Sequence, residues 1–370
     1  MTQGVQGGGS GGDDGPGADV SSDAGPDADP GALPPPAKVG TPTVPAEPSP
    51  PGGRRADPDA CREDAATDAP PEAALSALGL PATPEDADND NPDPARPLPD
   101  SGGEPRRIRE TLDPWRAAAL HAALDRPGPA PRAGDPLIPL QHRLFFAEAS
   151  RPSALAPDGA PAPGGLWPDT GLPFRMRGGG RIDFHAPLRL GEEALRVTVV
   201  QNVALRQGGG DPVAVVTLRH EISGPEGLAV REEEDLVFRA PPAPGAPRVE
   251  PPLRDDRPAF RREVSHDATL LFRYAALTYD ANRAHYDRAF AAAVGHDGLP
   301  VPAMLIAQQL ADLLADRAAR RLARFEYRAV APILEGEKAS LNGRTFGDRA
   351  ELWALRPDGR LALEARAAFG

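Results

Sequence analysis

All 18 aromatic side chains of this 370-residue chain lie after residue 114. The first hundred residues contain 20 of the 47 prolines and 14 of the 39 glycines, and their net charge is −14 against −13 for the whole chain. Such a segment cannot bury enough apolar surface to offset the conformational entropy that folding costs. We therefore predict a disordered acidic tail over residues 1–104, with the role of an interaction arm, a solubilising segment or a linker.

The rest of the chain excludes several classes of protein. Residues 101–370 have a net charge of +1, whereas a nucleic-acid-binding surface needs a basic stripe. No apolar run reaches 18 residues, and the N-terminus lacks the basic and apolar regions of a secretory signal. The single cysteine, Cys61, lies in the tail, which excludes a disulfide framework. We predict a cytoplasmic protein that has no metal, no cofactor, and no nucleic-acid or membrane partner.

Residues 105–245 form the first half of the predicted folded part, in which the spacing of apolar residues changes from that of a helix to that of strands. A helix at 115–124, capped by Asp113, is followed by segments in which apolar and polar residues alternate, as in strands. The predicted strands are residues 181–185, 194–205, 213–223 and 228–238. We expect them to form a four-stranded antiparallel meander. A proline-rich linker follows at residues 246–258.

Residues 259–370 repeat this plan. We predict strands at 260–266, 322–330, 338–346, 350–355 and 360–368, and helices at 268–279, 282–293 and 303–320. The helix at 303–320 has a broad apolar face, which the following strands must cover. A sheet wrapped around one central helix is the hot-dog arrangement. Two such units predict an α+β double hot-dog, with two antiparallel sheets that each surround a central helix.

One compact polar cluster lies between two apolar helices. Asp280, Asn282 and His285 follow the spacing Asp-x-Asn-x-x-His. A carboxylate and an imidazole on neighbouring turns can hold one water between them and exchange its protons, while the amide orients the water or a substrate carbonyl. The free N–H of Ala303, at the start of the long helix, could stabilise an oxyanion. The alternative is that the cluster is a simple helix N-cap with a surface histidine.

Residues 271–287 resemble the signature of the hydratase-2 (MaoC-like) enoyl-thioester hydratases. The segments 112–115, 139–142, 180–192 and 216–222 are similar to the double-hot-dog branch, which includes 3-methylfumaryl-CoA (mesaconyl-CoA) hydratases and related hydroxyacyl-thioester dehydratases. The resemblance implies that Asp280 and His285 are the catalytic pair, supported by Asn282. It also implies an oxyanion hole at the Ala303 amide, an acyl-CoA substrate and a chain able to form a homodimer.

Two positions depart from that branch. The branch often has Asn-Gly-His-Arg-x-His where this chain has residues 280–285, so the motif here is closer to the general hydratase-2 form. The family usually has His-Gly before the long helix, where this chain has Pro302 and Ala303. Pro302 has no N–H, and the methyl group of Ala303 narrows the approach to the amide.

We therefore expect a hydro-lyase acting on a short 2-enoyl-CoA, with mesaconyl-CoA to citramalyl-CoA as the best assignment. The first half lacks the motif and is expected to be catalytically silent, completing the pocket. Two alternatives stay open. One is a 3-hydroxyacyl-thioester dehydratase acting on CoA or acyl carrier protein, and the other is a non-catalytic acyl-thioester-binding protein.

Several basic residues are candidates for contacts with the substrate. Arg283 and Arg288 are candidates for a second substrate carboxylate, and His142 and Arg143 for a carboxylate or a CoA phosphate. Other polar features are interpreted as structural: a solvated turn with Arg175, Arg177 and Arg181 (otherwise a phosphate site), sheet positions for His185 and His220, and a solvated strand edge at residues 232–235.

Overall fold

The computed structural model describes residues 96–97, 103–208, 211–241 and 250–370. Most of the predicted tail lies outside these residues. Within it, Arg96–Pro97 form a short strand, β1, that pairs with Ala204 and Leu205. None of the helices in the described ranges is long and apolar enough to cross a bilayer.

The first half contains one α-helix and most of the long strands. As predicted, the Asp113 carboxylate accepts the Trp115 N–H at 2.9 Å, and Pro114 occupies the first helical position. Short 3₁₀ helices lie at Gln141–Leu144 and Pro152–Ala154. The remaining elements are β2 (Arg106–Thr111), α1 (Pro114–Ala123), β3 (Phe174–Phe184), β4 (Glu193–Gly208), β5 (Asp211–Gly224) and β6 (Gly227–Arg239).

The second half contains three α-helices and five strands. The helix predicted at 282–293 is divided, because Asn282 caps a 3₁₀ turn at Arg283–His285 and Asp287 caps a separate helix. The helix predicted at 303–320 ends at Ala315. The elements are β7 (Phe260–Ser265), α2 (Ala268–Thr278), α3 (Arg288–Ala293), α4 (Ala303–Ala315), β8 (Leu322–Ala329), β9 (Lys338–Phe346), β10 (Arg349–Leu355) and β11 (Leu361–Phe369).

All strands belong to one antiparallel sheet in the order β1-β4-β5-β6-β3-β8-β11-β10-β9-β7, and β2 also pairs with β4. The order of the first half is thus repeated in reverse by the second. The predicted four-stranded meander was wrong for β3, which lies beside β6 and not beside β4. The reason is that β2 occupies the edge of β4, with Arg107 opposite Val197.

The two halves join where β3 pairs with β8. Gly179 lies opposite Arg328, and Gly180 lies opposite Tyr327. A Cβ on Gly179 would lie 2.6 Å from the Tyr327 carbonyl oxygen, so the approach of the strands requires glycine there. The two predicted sheets are therefore continuous across this seam.

The double hot-dog prediction is confirmed, with a difference between the halves. In the second half, α4 packs against β9, β10 and β11 and buries Leu305, Leu310 and Leu313 almost completely. Each such side chain contributes about 1.5–3 kcal/mol by leaving water. In the first half, the place of the long helix is taken by the 3₁₀ turn Gln141–Leu144. The sheet there keeps an uncovered face.

Candidate active site

A cavity of about 1090 Å³ lies against the uncovered face of the first half and is closed by elements of the second. Strands β3 to β6 provide one wall. The end of α2, the 3₁₀ turn at Arg283–His285 and the start of α4 provide another. Asp280, Asn282, His285 and Ala303 all line this cavity, so the four residues predicted from the motif are brought together.

Asp280 is held at the end of α2. Tyr279 ends the helix in the left-handed region, and the Asp280 N–H donates to the Ala275 carbonyl at 2.9 Å. The Asp280 carboxylate accepts the Asn282 N–H at 3.0 Å. Burial alone would raise the pKa of Asp280, but its polar surroundings, above all the charge of Arg177, lower the pKa further than burial raises it. Asp280 is therefore an anion at neutral pH.

His285 has one ring nitrogen bound to the backbone. Its Nδ1 lies 2.8 Å from the Pro300 carbonyl oxygen. A carbonyl oxygen only accepts hydrogen bonds, so Nδ1 carries the proton and donates it. In the neutral ring, Nε2 is then an acceptor.

Asn282 acts on the local backbone. Its side-chain oxygen accepts the Ala284 N–H at 3.0 Å, which caps the 3₁₀ turn that carries His285. This contact makes Asn282 a positioning residue for the turn. The role that the sequence suggested, orienting a water or a carbonyl, stays a prediction.

The start of α4 presents free amides. The Pro302 carbonyl accepts the N–H groups of Leu305 at 2.9 Å and Ile306 at 3.4 Å. The preceding amides, of Ala303 and Met304, have no acceptor within the helix, and both residues line the cavity. They lie at the positive end of the helix dipole, where a developing negative charge is stabilised.

The four basic residues proposed for substrate contacts divide into two pairs. Arg283 and Arg288 are not among the residues that line the cavity. Arg283 donates to Asp287 at 2.6 Å, and the mostly exposed Arg288 pairs with Glu335. The geometry therefore does not favour a substrate carboxylate at either residue, because each guanidinium already has an anion.

His142 and Arg143 do line the cavity, and both contact the same carboxylate. His142 Nε2 lies 3.0 Å from Glu232 Oε2, and Arg143 Nε donates to Glu232 Oε1 at 2.9 Å. Burial raises the pKa of Glu232, but the Arg143 and His142 charges lower it well below its usual range.

The interpretation of residues 232–235 as a solvated strand edge was wrong. Glu232 and Glu234 are buried, at 2% and 5% exposure, and line the cavity. His220 lies opposite Glu232 on the neighbouring strand, and its Nδ1 lies 2.8 Å from the Thr198 hydroxyl. Burial lowers the pKa of His220 to about 3, so its ring is neutral at physiological pH. In a strand, side chains alternate between the two faces, so two of the four acidic residues had to lie on the same face as the buried apolar residues of β6. This alternation was the signal for the acidic side chains in the cavity wall.

The basic residues before the Gly178–Gly180 run lie on a strand, so the predicted turn was wrong. Arg177 pairs with Glu234 inside the cavity, and Arg175 lies over the Trp167 ring at 4.9 Å. A bulge between Arg177 and Gly179 shifts the register. Beyond it, Arg181 binds Glu233 and Asp235 in the alternate positions of β6.

The family model for hydroxyacyl-thioester dehydratase type 2 matches residues 140–335 of this chain. The mesaconyl-C(4)-CoA hydratase of Chloroflexus aurantiacus is 39% identical over 272 residues, which are 72% of this chain and 96% of that protein. The chain belongs to the type 2 hydroxyacyl-thioester dehydratase family. It is therefore a hydro-lyase, as the sequence predicted.

Solved structures agree with the fold. A MaoC-like dehydratase from Phytophthora capsici matches with a TM-score of 0.56 and 14% identity, over 72% of this chain and 96% of that chain. HtdX from Mycobacterium tuberculosis matches with a TM-score of 0.53 and 18% identity, over 71% of this chain and 98% of that chain. Both matches extend across the two halves of the chain and show that the fold is shared.

Proposed function

We propose that this chain hydrates a short 2-enoyl-CoA thioester, with mesaconyl-CoA to citramalyl-CoA as the best assignment. The observation that carries the proposal is the convergence of Asp280, His285 and the Ala303 amide on one cavity. The mesaconyl-CoA assignment is supported by the activity of the Chloroflexus aurantiacus relative.

The two side chains suit the addition of water. The Asp280 carboxylate and His285 Nε2 both accept hydrogen bonds, so a water that donates one hydrogen to each has its lone pairs directed at the substrate. The water oxygen adds to C3, and its proton passes to the His285 Nε2 and then to C2. Each positioned acid or base contributes on the order of 10²–10⁴-fold to the rate.

The α4 amides suit the charge that this addition creates. Attack at C3 moves an electron pair onto the thioester oxygen, and the Ala303 N–H, which has no acceptor within α4, can donate to that oxygen. One such donor contributes on the order of 10²–10³-fold. The reverse reaction, dehydration of a 3-hydroxyacyl thioester, uses the same groups, so the physiological direction follows from metabolite levels.

The test is a loss of absorbance of the conjugated thioester with mesaconyl-CoA, crotonyl-CoA and longer 2-enoyl-CoA esters. We expect the wild-type protein to hydrate at least one of these esters. His285→Ala should abolish this activity while its circular dichroism spectrum stays the same as that of the wild-type protein. A flat response to every ester, together with calorimetric binding of acyl-CoA, would replace the proposal with the non-catalytic thioester-binding function. Sedimentation of the same samples tests the homodimer, which stays a prediction, as does the cytoplasmic location.

A further inference from the structure

Five arginines and five carboxylates line the cavity, and two of these arginines form ion pairs with carboxylates of the same lining. Arg143 lies between Glu232 and Glu234, and Arg177 shares Glu234. Two carboxylates therefore serve two of the cations. The arginines that line the cavity are Arg143, Arg175, Arg177, Arg196 and Arg239.

Arg175 differs from Arg143 and Arg177. In the part of the chain that the structure describes, no carboxylate forms an ion pair with it, and its recorded contact is the face of the Trp167 ring. Burial lowers the pKa of Arg175, and the nearby Asp158 raises it by a smaller amount. The Asp158 carboxylate is itself bound to the Ala160 N–H at 2.9 Å. Arg175 is thus a half-buried cation at the cavity wall that has no ion-paired carboxylate among the described residues.

Arg175 lies nearer to the proposed catalytic residues than Arg196 does, as a contact with a short acyl group would require. It lies two residues from Arg177 on β3, and the charges of both arginines act on the Asp280 carboxylate. Arg196 lies on β4, three strands away from β3 in the sheet, or about 14 Å at the usual strand spacing. Arg239 is the last residue of β6 and lies opposite Phe174.

We propose that Arg175 is the specificity-determining residue of this site and binds the free carboxylate of a short dicarboxylic acyl-CoA. The inference rests on the proposed hydratase function. In a four-carbon dicarboxylic acyl group, the second carboxylate is attached directly to C3, the carbon that water attacks. The cation that binds it must therefore reach the cavity that Asp280 lines, and Arg175 lines the same cavity. The contact with the Trp167 ring holds the Arg175 guanidinium at the cavity wall, and a guanidinium can bind a carboxylate through two N–H groups.

The experiment measures binding and turnover separately. Calorimetry compares succinyl-CoA, which is dicarboxylic and has no double bond to hydrate, with butyryl-CoA and free CoA. We expect the wild-type protein to bind succinyl-CoA about 10²-fold more tightly than butyryl-CoA, and Arg175→Gln to remove this preference while butyryl-CoA binding is retained. In turnover assays, Arg175→Gln should raise KM for mesaconyl-CoA by a larger factor than KM for crotonyl-CoA, which has no second carboxylate. The matched control is Arg181→Gln, on the same strand but bound to Glu233 and Asp235.

Each outcome has a definite reading. Equal wild-type affinities for succinyl-CoA and butyryl-CoA would overturn the inference. So would an equal loss for all three ligands in Arg175→Gln, because Arg175 would then bind a CoA phosphate. If neither unsaturated ester is hydrated but the succinyl-CoA preference still depends on Arg175, the hydratase proposal fails and the carboxylate site stands.

Discussion

The backbone has the same conformation after α1 and after α2, but the residue at the equivalent position is basic in the first half and acidic in the second. Asp125 and Tyr279 both have positive φ, of 49° and 53°. In each case the next amide donates to the carbonyl five residues earlier, at 3.1 Å for Arg126 and 2.9 Å for Asp280. Arg126 is therefore the first-half counterpart of Asp280.

The counterpart of Ala303 is a proline. Pro136 pairs with Arg189, after β3, and Pro300 pairs with Leu334, after β8, so these two prolines are at equivalent positions. Pro139 and Ala303 each follow three residues later and are therefore equivalent too. Proline has no N–H, so the first half has no amide donor at this point. Where the second half continues into α4, the first half makes only a 3₁₀ turn.

The first-half position has become a contact between the halves. Arg126 donates to Asp312 on α4 at 2.8 Å, and Gln308 on the same helix donates to the Pro139 carbonyl at 3.1 Å. The comparison teaches that the backbone plan alone does not make a site. The proposed site also needs an acidic group and a free amide at two positions of that plan.

The largest difference between the two halves is expected for substitutions at Asp280 and at its counterpart Arg126. Asp280→Asn keeps an acceptor for the Asn282 N–H but removes the charge that attracts the proton of water, so we expect kcat to fall on the order of 10²–10⁴-fold. Arg126→Lys, at the counterpart position, keeps the charge that binds Asp312 and should leave kcat unchanged. Steady-state hydration rates and circular dichroism measure both variants. Similar losses in the two would contradict the assignment of catalysis to the second half.

The second test transfers the first-half residue into the second half. Ala303→Pro removes one N–H at the first position of α4, where proline is well tolerated, and Pro302 is already extended with ψ of 126°. We expect kcat to fall on the order of 10²–10³-fold without loss of fold. Ala303→Gly keeps the N–H and widens the approach, so its kcat should equal or exceed that of the wild-type protein. An active Ala303→Pro variant would remove the amide from the mechanism.

The contact between Arg126 and Asp312 predicts a pH dependence of stability. Burial raises the pKa of Asp312 to about 6, above its ordinary value of 3.8. The folded chain therefore takes up a proton more readily than the unfolded chain as pH falls through 6. We expect the free energy of unfolding of the wild-type protein, relative to Asp312→Asn, to rise by about 2 kcal/mol between pH 7.5 and 4.5. Urea unfolding at each pH measures it, and a constant difference would show that Asp312 does not titrate in this range.

The smallest effect is expected at the seam. Gly179→Ala would place a methyl group against the Tyr327 carbonyl, which should cost on the order of 1–2 kcal/mol of unfolding free energy. The matched control is Gly298→Ala, whose methyl group would meet Leu334 at an ordinary 3.7 Å. Equal midpoints of thermal unfolding in the two variants would mean that β3 and β8 can move apart to accept the methyl group without a loss of stability.

Local features of the fold and of the candidate site were predictable from the sequence. The caps at Asp113 and Asn282 and the strands of the second half depend on neighbouring residues and on side-chain period. The four site residues lie within 24 positions of one another, on adjacent elements, so their proximity followed from the motif.

Contacts between distant segments were not predictable. The placement of β3 beside β6, and the wall formed by Glu232 and Glu234, depend on pairings that no single segment encodes. Arg283 and Arg288 are near the motif in sequence, which predicts a place in the site. The division of the helix after Asn282 turns them toward Asp287 and Glu335 instead.

The seam between β3 and β8 has a consequence for how such a protein can change over generations. When two identical chains pair, every substitution appears twice, and replacing the acid of one pocket removes it from both. Here the paired units are consecutive stretches of one polypeptide, so each position mutates alone. Arg126 and Pro139 in the first half can therefore differ from Asp280 and Ala303 in the second, and a 3₁₀ turn can stand in one half where the other has a full helix.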